Sequence, residues 1–261
     1  MIIMKTLNGL KAYVKKEFIE GIRTHKFLIL AIGALFFAVA DPIVLKLMPE
    51  ILKNQLQGID ISSMIELNQK TVMENYAKDL NQIFTLIIAF TLMGIVSGER
   101  SNKTLTIPVS MGCSVKSILT GKMIVYGSYI SVLTVMGMLI AYYYSGIIFE
   151  PGVITFKAVL KSGVLFGLFF VFVISVLIFL SSALKKTFIA GILTLLLVYL
   201  MPLLDTFFSI GKYLPVSLIV KADEFNTSLS SEVFVSIAIT IGLIVIFQVF
   251  SVIKLESTEL V

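Results

Sequence analysis

The sequence predicts an all-α integral membrane protein, with six transmembrane helices preceded by an amphipathic helix. Three observations predict it. Of 261 residues, 57% are hydrophobic and only 14% charged, where a soluble domain is nearer a quarter charged; the mean hydropathy is +1.00. The charges cluster between long apolar runs, and six of those runs approach the ~20 residues a helix needs to cross the hydrocarbon core. Thirteen of the 21 Lys and Arg fall on one side of those runs when the N-terminus is placed inside, which orients both termini toward the cytoplasm. This composition excludes a soluble enzyme.

Residues 1–26 read as a cytoplasmic amphipathic helix. Leu7, Leu10, Val14, Phe18 and Ile22 recur at spacings of three and four on one face, while Lys11, Lys15, Lys16 and Glu20 lie mostly away from it. A basic amphipathic helix beside a span lies in the membrane interface, or else packs on other protein. The predicted spans are 27–45, 80–98, 123–147, 162–184, 187–204 and 233–253. The first is expected to break at Asp41-Pro42. Between spans lie external loops 46–79 and 205–232, the latter with Pro215, and a cytoplasmic loop 99–122. About 26 mixed residues precede the first apolar run, so no signal peptide is read there. Gly163 and Gly167 form G-x-x-x-G in the fourth span, and such small residues let helices pack closely, within one chain or between two.

The chemistry missing from the chain is informative. Cys113 is the single cysteine, so no intrachain disulfide forms. The single histidine, His25, sits at a membrane boundary. An H-E-x-x-H zinc site is therefore impossible, and a Ser-His pair would need a serine at membrane depth. Asp41 and Asp205 are the candidate membrane carboxylates, and both are expected at the outer water interface. Thr85, Thr91, Ser128, Thr134 and Gln248 are expected to hydrogen-bond between helices. Gly98–Thr104 has the look of a phosphate-binding loop, but Ser97 and Asn102 stand where its glycines are needed. The chain has no ATP site of that kind. No catalytic, cofactor-binding or metal-ligating residue is assigned, and the net charge of +5 is explained by topology without nucleic acid.

The loop from Gly98 to Lys122 is the most specific feature. It reads G-E-R-S-N-K-T-L-T-I-P-V-S-M-G-C-S-V-K-S-I-L-T-G-K. Pro108 is expected to divide it into a short helix over Glu99–Ile107 and a second over Ser114–Lys122, the second capped by Ser114. The product is a rigid knuckle between two spans.

This loop resembles the E-(R/K)-x-x-G-T-L-x-x-x-P-(V/I)-S-R-x-x-(I/L)-L-x-x-K pattern of ABC-2 type transporter permeases. Glu99, Arg100, Thr104, Leu105, Pro108, Val109, Ser110, Ile118, Leu119 and Lys122 match it in order; Lys103 replaces the usual glycine and Met111 the usual arginine. Lys15-Lys16-Glu17-Phe18, followed by Arg23 and Lys26, resembles the family's N-terminal helix. Tyr213-Leu214-Pro215 resembles its Y-L-(S)-P element. The resemblance implies the transmembrane subunit of an exporter in a prokaryotic inner membrane, paired with a second permease subunit as homodimer or heterodimer. A separate ABC ATPase, holding ATP and Mg, would dock on 99–122. The chain would not be an enzyme by itself. A stand-alone secondary transporter or channel is the alternative.

Overall fold

The computed structural model describes the backbone of residues 2–55, 67–150, 152, 154–208, 211–228 and 230–257, and their side chains except at 2–8, 52–55, 204–208 and 212. Among the described residues every regular element is a helix. The expected loop residues 56–66 and the side chains of Leu7 and Asp205 lie outside that description. The elements are α1 (Ile2–Arg23), α2 (Lys26–Gln55), α3 (Gln69–Asp79), a π-helical turn (Leu80–Phe84), α4 (Thr85–Leu92), α5 (Ser97–Ser101), α6 (Thr106–Ser110), α7 (Val115–Ile148), α8 (Phe156–Ala183), α9 (Thr187–Phe208), α10 (Ser217–Asp223) and α11 (Ser231–Glu256), with a 3-10 turn at Gly211–Tyr213.

Among the described residues, five helices are long and apolar enough to cross a membrane: Lys26–Ile51, Gln69–Ser101, Val115–Ile148, Phe156–Ala183 and Ser231–Glu256. The other expected span, in α9, has a shorter apolar stretch at Thr187–Leu203. The chain is a multi-pass all-α membrane protein.

Several expected boundaries move. Asp41-Pro42 does not break the first span, because α2 runs on through Pro42 and Pro49 to Gln55. The proline costs α2 one backbone bond, which a packed membrane helix tolerates. The expected loop 46–79 is partly helix: it holds the end of α2 and all of α3, which continues through the π-helical turn into the second span. Residues 205–232 include the end of α9 and α10, which packs on α8.

The core is α8. Phe166, Phe169, Phe170 and Phe172 on it are fully buried, against α7 and α11 above all. Lipid is as apolar as phenylalanine, so close packing rather than exclusion of water holds such helices together. Gly163 and Gly167 supply that closeness within the chain. A Cβ on Gly163 would lie 3.0 Å from Val135 Cα, and one on Gly167 would lie 3.3 Å from Ser131 Cα. Of the groups expected to bond between helices, Thr85 Oγ1 and the Gln248 amide have no hydrogen-bond partner among the described residues, and two serve their own helix. Ser128 donates to the Val125 carbonyl and Thr134 to the Ile130 carbonyl, as short hydroxyl side chains in helices often do.

Candidate functional site

The site lies where α1, the 99–122 segment and the start of α7 meet. Tyr13, Glu17 and Gly21 recur every fourth residue along α1, and all three are buried. This is the face that packs on α7. Gly121 of α7 makes room for it, since a Cβ there would lie 3.0 Å from the Tyr13 ring. Gly21 makes room for the Phe27 ring, which folds back from α2 and stacks on Tyr129 with centroids 4.2 Å apart. His25 takes φ 57° between α1 and α2, a left-handed residue of the kind that ends helices. The apolar side of α1 is left outward: Phe18 and Ile22 are more than half exposed.

Six charged side chains converge inside this corner. Lys122 is 1% exposed; its Nζ lies 2.8 Å from Glu17 Oε1 and 2.9 Å from Glu99 Oε2. Lys16 Nζ lies 2.5 Å from Glu99 Oε1, 2.6 Å from Glu20 Oε2 and 2.9 Å from Glu17 Oε1. Lys26 adds a contact to Glu20 at 3.3 Å. The Tyr13 hydroxyl donates to Glu99 Oε2 at 3.2 Å. Its ring lies 5.0 Å from the Lys16 ammonium and 5.5 Å from that of Lys122, close enough for cation–π attraction. Three carboxylates face three ammoniums, so the cluster is neutral as a whole. Carboxylate oxygens of Glu17, Glu20 and Glu99 lie within 4.8 Å of one another. Lys16, Lys26 and Lys122 already balance that negative charge.

The electrostatics follow from this packing. Burial works against the Glu20 carboxylate, but the hydrogen bond and charge of Lys16, with Lys26 and Lys122 behind, hold it below the usual range. Burial likewise opposes the Lys16 ammonium, and is outweighed by Glu99, Glu20 and Glu17, which push Lys16 upward. The Tyr13 phenol is pushed up by burial first, then by Glu99 and Glu17. It therefore stays a donor.

The segment from Glu99 onward is built differently from the sequence expectation. Glu99–Ile107 is not one helix, and Pro108 is not the divider. The break falls at Asn102–Leu105, where Lys103 takes φ 57°, and Pro108 sits inside the first turn of α6. A proline is tolerated there because first-turn N–H groups have no helical partner. Ser114 caps α7 as expected, accepting from the Ser117 N–H. That helix runs without interruption into the third span, so Ile118 and Lys122 belong to the span helix itself.

The structure brings Lys16, Glu17, Glu99 and Lys122 together and disperses the other predicted site residues. Arg100 donates to the Ser182 carbonyl at the end of α8, at 3.4 Å. Thr104 bonds back to the Glu99 carbonyl through both its N–H and its hydroxyl. Leu105 and Ile118 are buried in the core, Pro108 and Val109 are half-buried, and Ser110 is exposed. Lys15, Phe18 and Arg23 point outward from α1. Gly163 and Gly167 serve α7–α8 packing away from this corner.

Tyr13 and Ser181 were missed. Ser181 of α8 accepts from the backbone N–H groups of Val96 and Ser97. It thereby satisfies donors at the start of α5 that have no helical partner. The four-residue spacing of Tyr13, Glu17 and Gly21 was a usable signal, because it marks a second face of α1. Between α1 and the segment lies a groove of about 980 Å³, bordered by Gly9, Tyr13, Glu99, Ile107, Met111 and Cys113. Ile107 and Met111 are 63% and 83% exposed on its rim.

No protein-family model matches the chain. It is similar to the uncharacterized transmembrane protein YxlG of Bacillus subtilis (strain 168), 25% identical over 171 residues, which take in 63% of this chain. The chain spans less than two thirds of that relative, the match covering 64% of its length. Helices and relative together agree on a multi-pass membrane protein.

Proposed function

We propose that the chain is the transmembrane permease subunit of an ATP-binding-cassette exporter, driven by a separate ATPase that docks on the Glu99–Lys122 segment. The observation that carries this reading is the bridging of Glu17 and Glu99 by the buried Lys122. It ties the N-terminal helix, the segment and the third span into one body, so a push on the segment moves a membrane helix directly. The left-handed Lys103 adds support, because it falls where the ABC-2 pattern has glycine, the residue that conformation favours.

In this reading the chain is not itself an enzyme, and ATP and Mg belong to the partner. Two permease subunits pair in a prokaryotic inner membrane with both termini cytoplasmic, and the outward face of α1 rests on lipid. The groove and its exposed rim at Ile107 and Met111 receive the ATPase. A carrier acting without an ATPase is the second reading, favoured by one observation, the buried carboxylate Asp41.

The test is purification of the tagged protein from its native membrane in mild detergent. A nucleotide-binding subunit is expected to come with it, and to be lost from Ile107→Asp and Met111→Asp, which leave the charge cluster intact. Protein that comes without an ATPase and moves solute in liposomes without ATP would overturn the permease reading in favour of the carrier.

A further inference from the structure

The second span reads as one apolar run but ends as two helices. α4 stops at Leu92, α5 starts at Ser97, and residues 93–96 turn between them. No proline lies anywhere in 69–101, so proline does not make the interruption. A hydroxyl from another helix does. In an unbroken helix the Val96 and Ser97 N–H groups would bond to the Leu92 and Met93 carbonyls. Here both donate to Ser181 Oγ of α8, at 3.2 and 2.9 Å. The Ser181 hydroxyl in turn lies 3.2 Å from the Met93 carbonyl and 3.0 Å from Ser97 Oγ. It is inserted into the Ser97–Met93 rung of the ladder, and such insertion bends a helix. Val96 takes the bend, with φ at −121°.

An unbroken second span would satisfy the same groups. With the hydroxyl withdrawn, Val96 and Ser97 can bond to Leu92 and Met93 directly. Ser181 then has the Leu177 carbonyl one turn back on its own helix, the bond that its neighbour Ser182 already makes to Ile178 at 2.8 Å. Neither arrangement strands a donor, which is the condition for exchange in lipid. The packing leaves room for it. A Cβ on Gly94 or Gly98 would lie 3.6 or 3.8 Å from the Thr187 methyl of α9, and one on Gly191 would lie 3.0 Å from Met93 Cβ. Glycines thus stand where α9 crosses the break. Gly94 and Gly98 also border the groove. Beyond the break, α5 is held at Arg100 by the Ser182 carbonyl and at Glu99 by Lys16 and Lys122.

We infer that the second span is a two-state joint with Ser181 as its pin. With the hydroxyl inserted, the span bends at 93–96. With it withdrawn, α4 and α5 form one helix, and α4 swings relative to the corner that holds Glu99. The Gly94 and Gly98 wall of the groove turns with that exchange. The joint does not depend on the permease reading. It separates the apolar part of the span from the segment whether or not an ATPase docks there.

Pulsed electron double resonance on the full chain in lipid nanodiscs tests this, with spin labels at Leu86 and Ser101 in a Cys113→Ala background. Both labelled positions are exposed, and a continuous helix would set them about 22 Å apart at 1.5 Å per residue. Ser181→Ala is expected to lengthen the wild-type distance toward that of the continuous helix. Ser182→Ala should leave it unchanged, since that hydroxyl serves its own helix. Gly94→Ala should lengthen it as Ser181→Ala does, because alanine favours helix over the turn and its methyl meets only ordinary contacts. The wild-type distance kept in both Ser181→Ala and Gly94→Ala would overturn the joint, as would an equal shift in Ser182→Ala. Should Ser181→Ala fail to fold, Gly94→Ala decides alone.

Discussion

Replacing Lys122 with methionine should release α1 from the bundle. The Lys122 and Glu17 side chains are each 1% exposed and Glu99 is 12% exposed, with contacts of 2.8 and 2.9 Å. Glu17 Oε2 is already buried with no donor among the described residues, so losing Lys122 leaves that carboxylate badly compensated. Removing one partner of a buried ion pair costs about 3–5 kcal/mol. Lys16 remains in contact with both carboxylates, which places the loss near the low end, about 3 kcal/mol. A change of that size raises the population of α1-detached molecules about 100-fold. The chain carries its own reporter. Cys113, its single cysteine, is half-buried with Sγ 4.0 Å from the Gly9 carbonyl of α1. Labelling of Cys113 in membranes by a bulky maleimide should accelerate by about 100-fold, up to the rate of an open thiol. Combining Lys122→Met with Glu17→Gln and Glu99→Gln should restore slow labelling, since no charge is then left buried alone. The reasoning is refuted if Lys122→Met labels at the wild-type rate, or if the triple variant labels as fast as the single one.

Three further outcomes follow from named geometry. Lys103→Gly should stabilise the fold by about 1 kcal/mol, by relieving a side chain at φ 57° in the left-handed region; a higher melting temperature in detergent checks it. Gly163→Ala should destabilise by about 1–3 kcal/mol, because its Cβ would press on the Val135 backbone. Its oligomeric state by native mass spectrometry should not change, as that contact lies within one chain. Asp223 on α10 is pushed up to about 7, by burial first and Glu74 second, against Lys78. The folded chain thus holds that proton more tightly than the unfolded one. The resulting stabilisation is complete below the unfolded value of 3.8 and is lost as pH rises to about 7. Asp223→Asn should therefore leave the melting temperature nearly unchanged at about pH 4 and raise it at about pH 8.

The helices were legible because membrane spans are written in composition: a run of apolar residues leaves the backbone no other way to satisfy its hydrogen bonds in lipid. The Ser114 cap was legible for a local reason too, since a short side-chain oxygen before an apolar run marks a helix start. What the sequence hid was set by tertiary contact. Asp41-Pro42 reads as a break, yet packing carries α2 through it. Pro108 reads as a divider, yet the break is made by Lys103, a residue with no local preference for φ 57°. Lys16 and Glu20 read as the polar side of an amphipathic helix. Only the approach of α7, which brings Lys122 from 105 residues away, buries Glu17 beside them.

The two ends of the bundle hold buried charge in opposite ways. At the α1 end each carboxylate has an ammonium beside it, so the cluster is neutral as a whole. Such a cluster adds little net stability over an apolar core of the same shape. What it adds is a fixed arrangement, because any movement of α1 against α7 strands Glu17 in a site without water. At the other end Asp41 is buried on α2, and its Oδ2 has no hydrogen-bond partner among the described residues. The α1 corner is therefore the one suited to transmit a movement without yielding, because its charges hold one another in place.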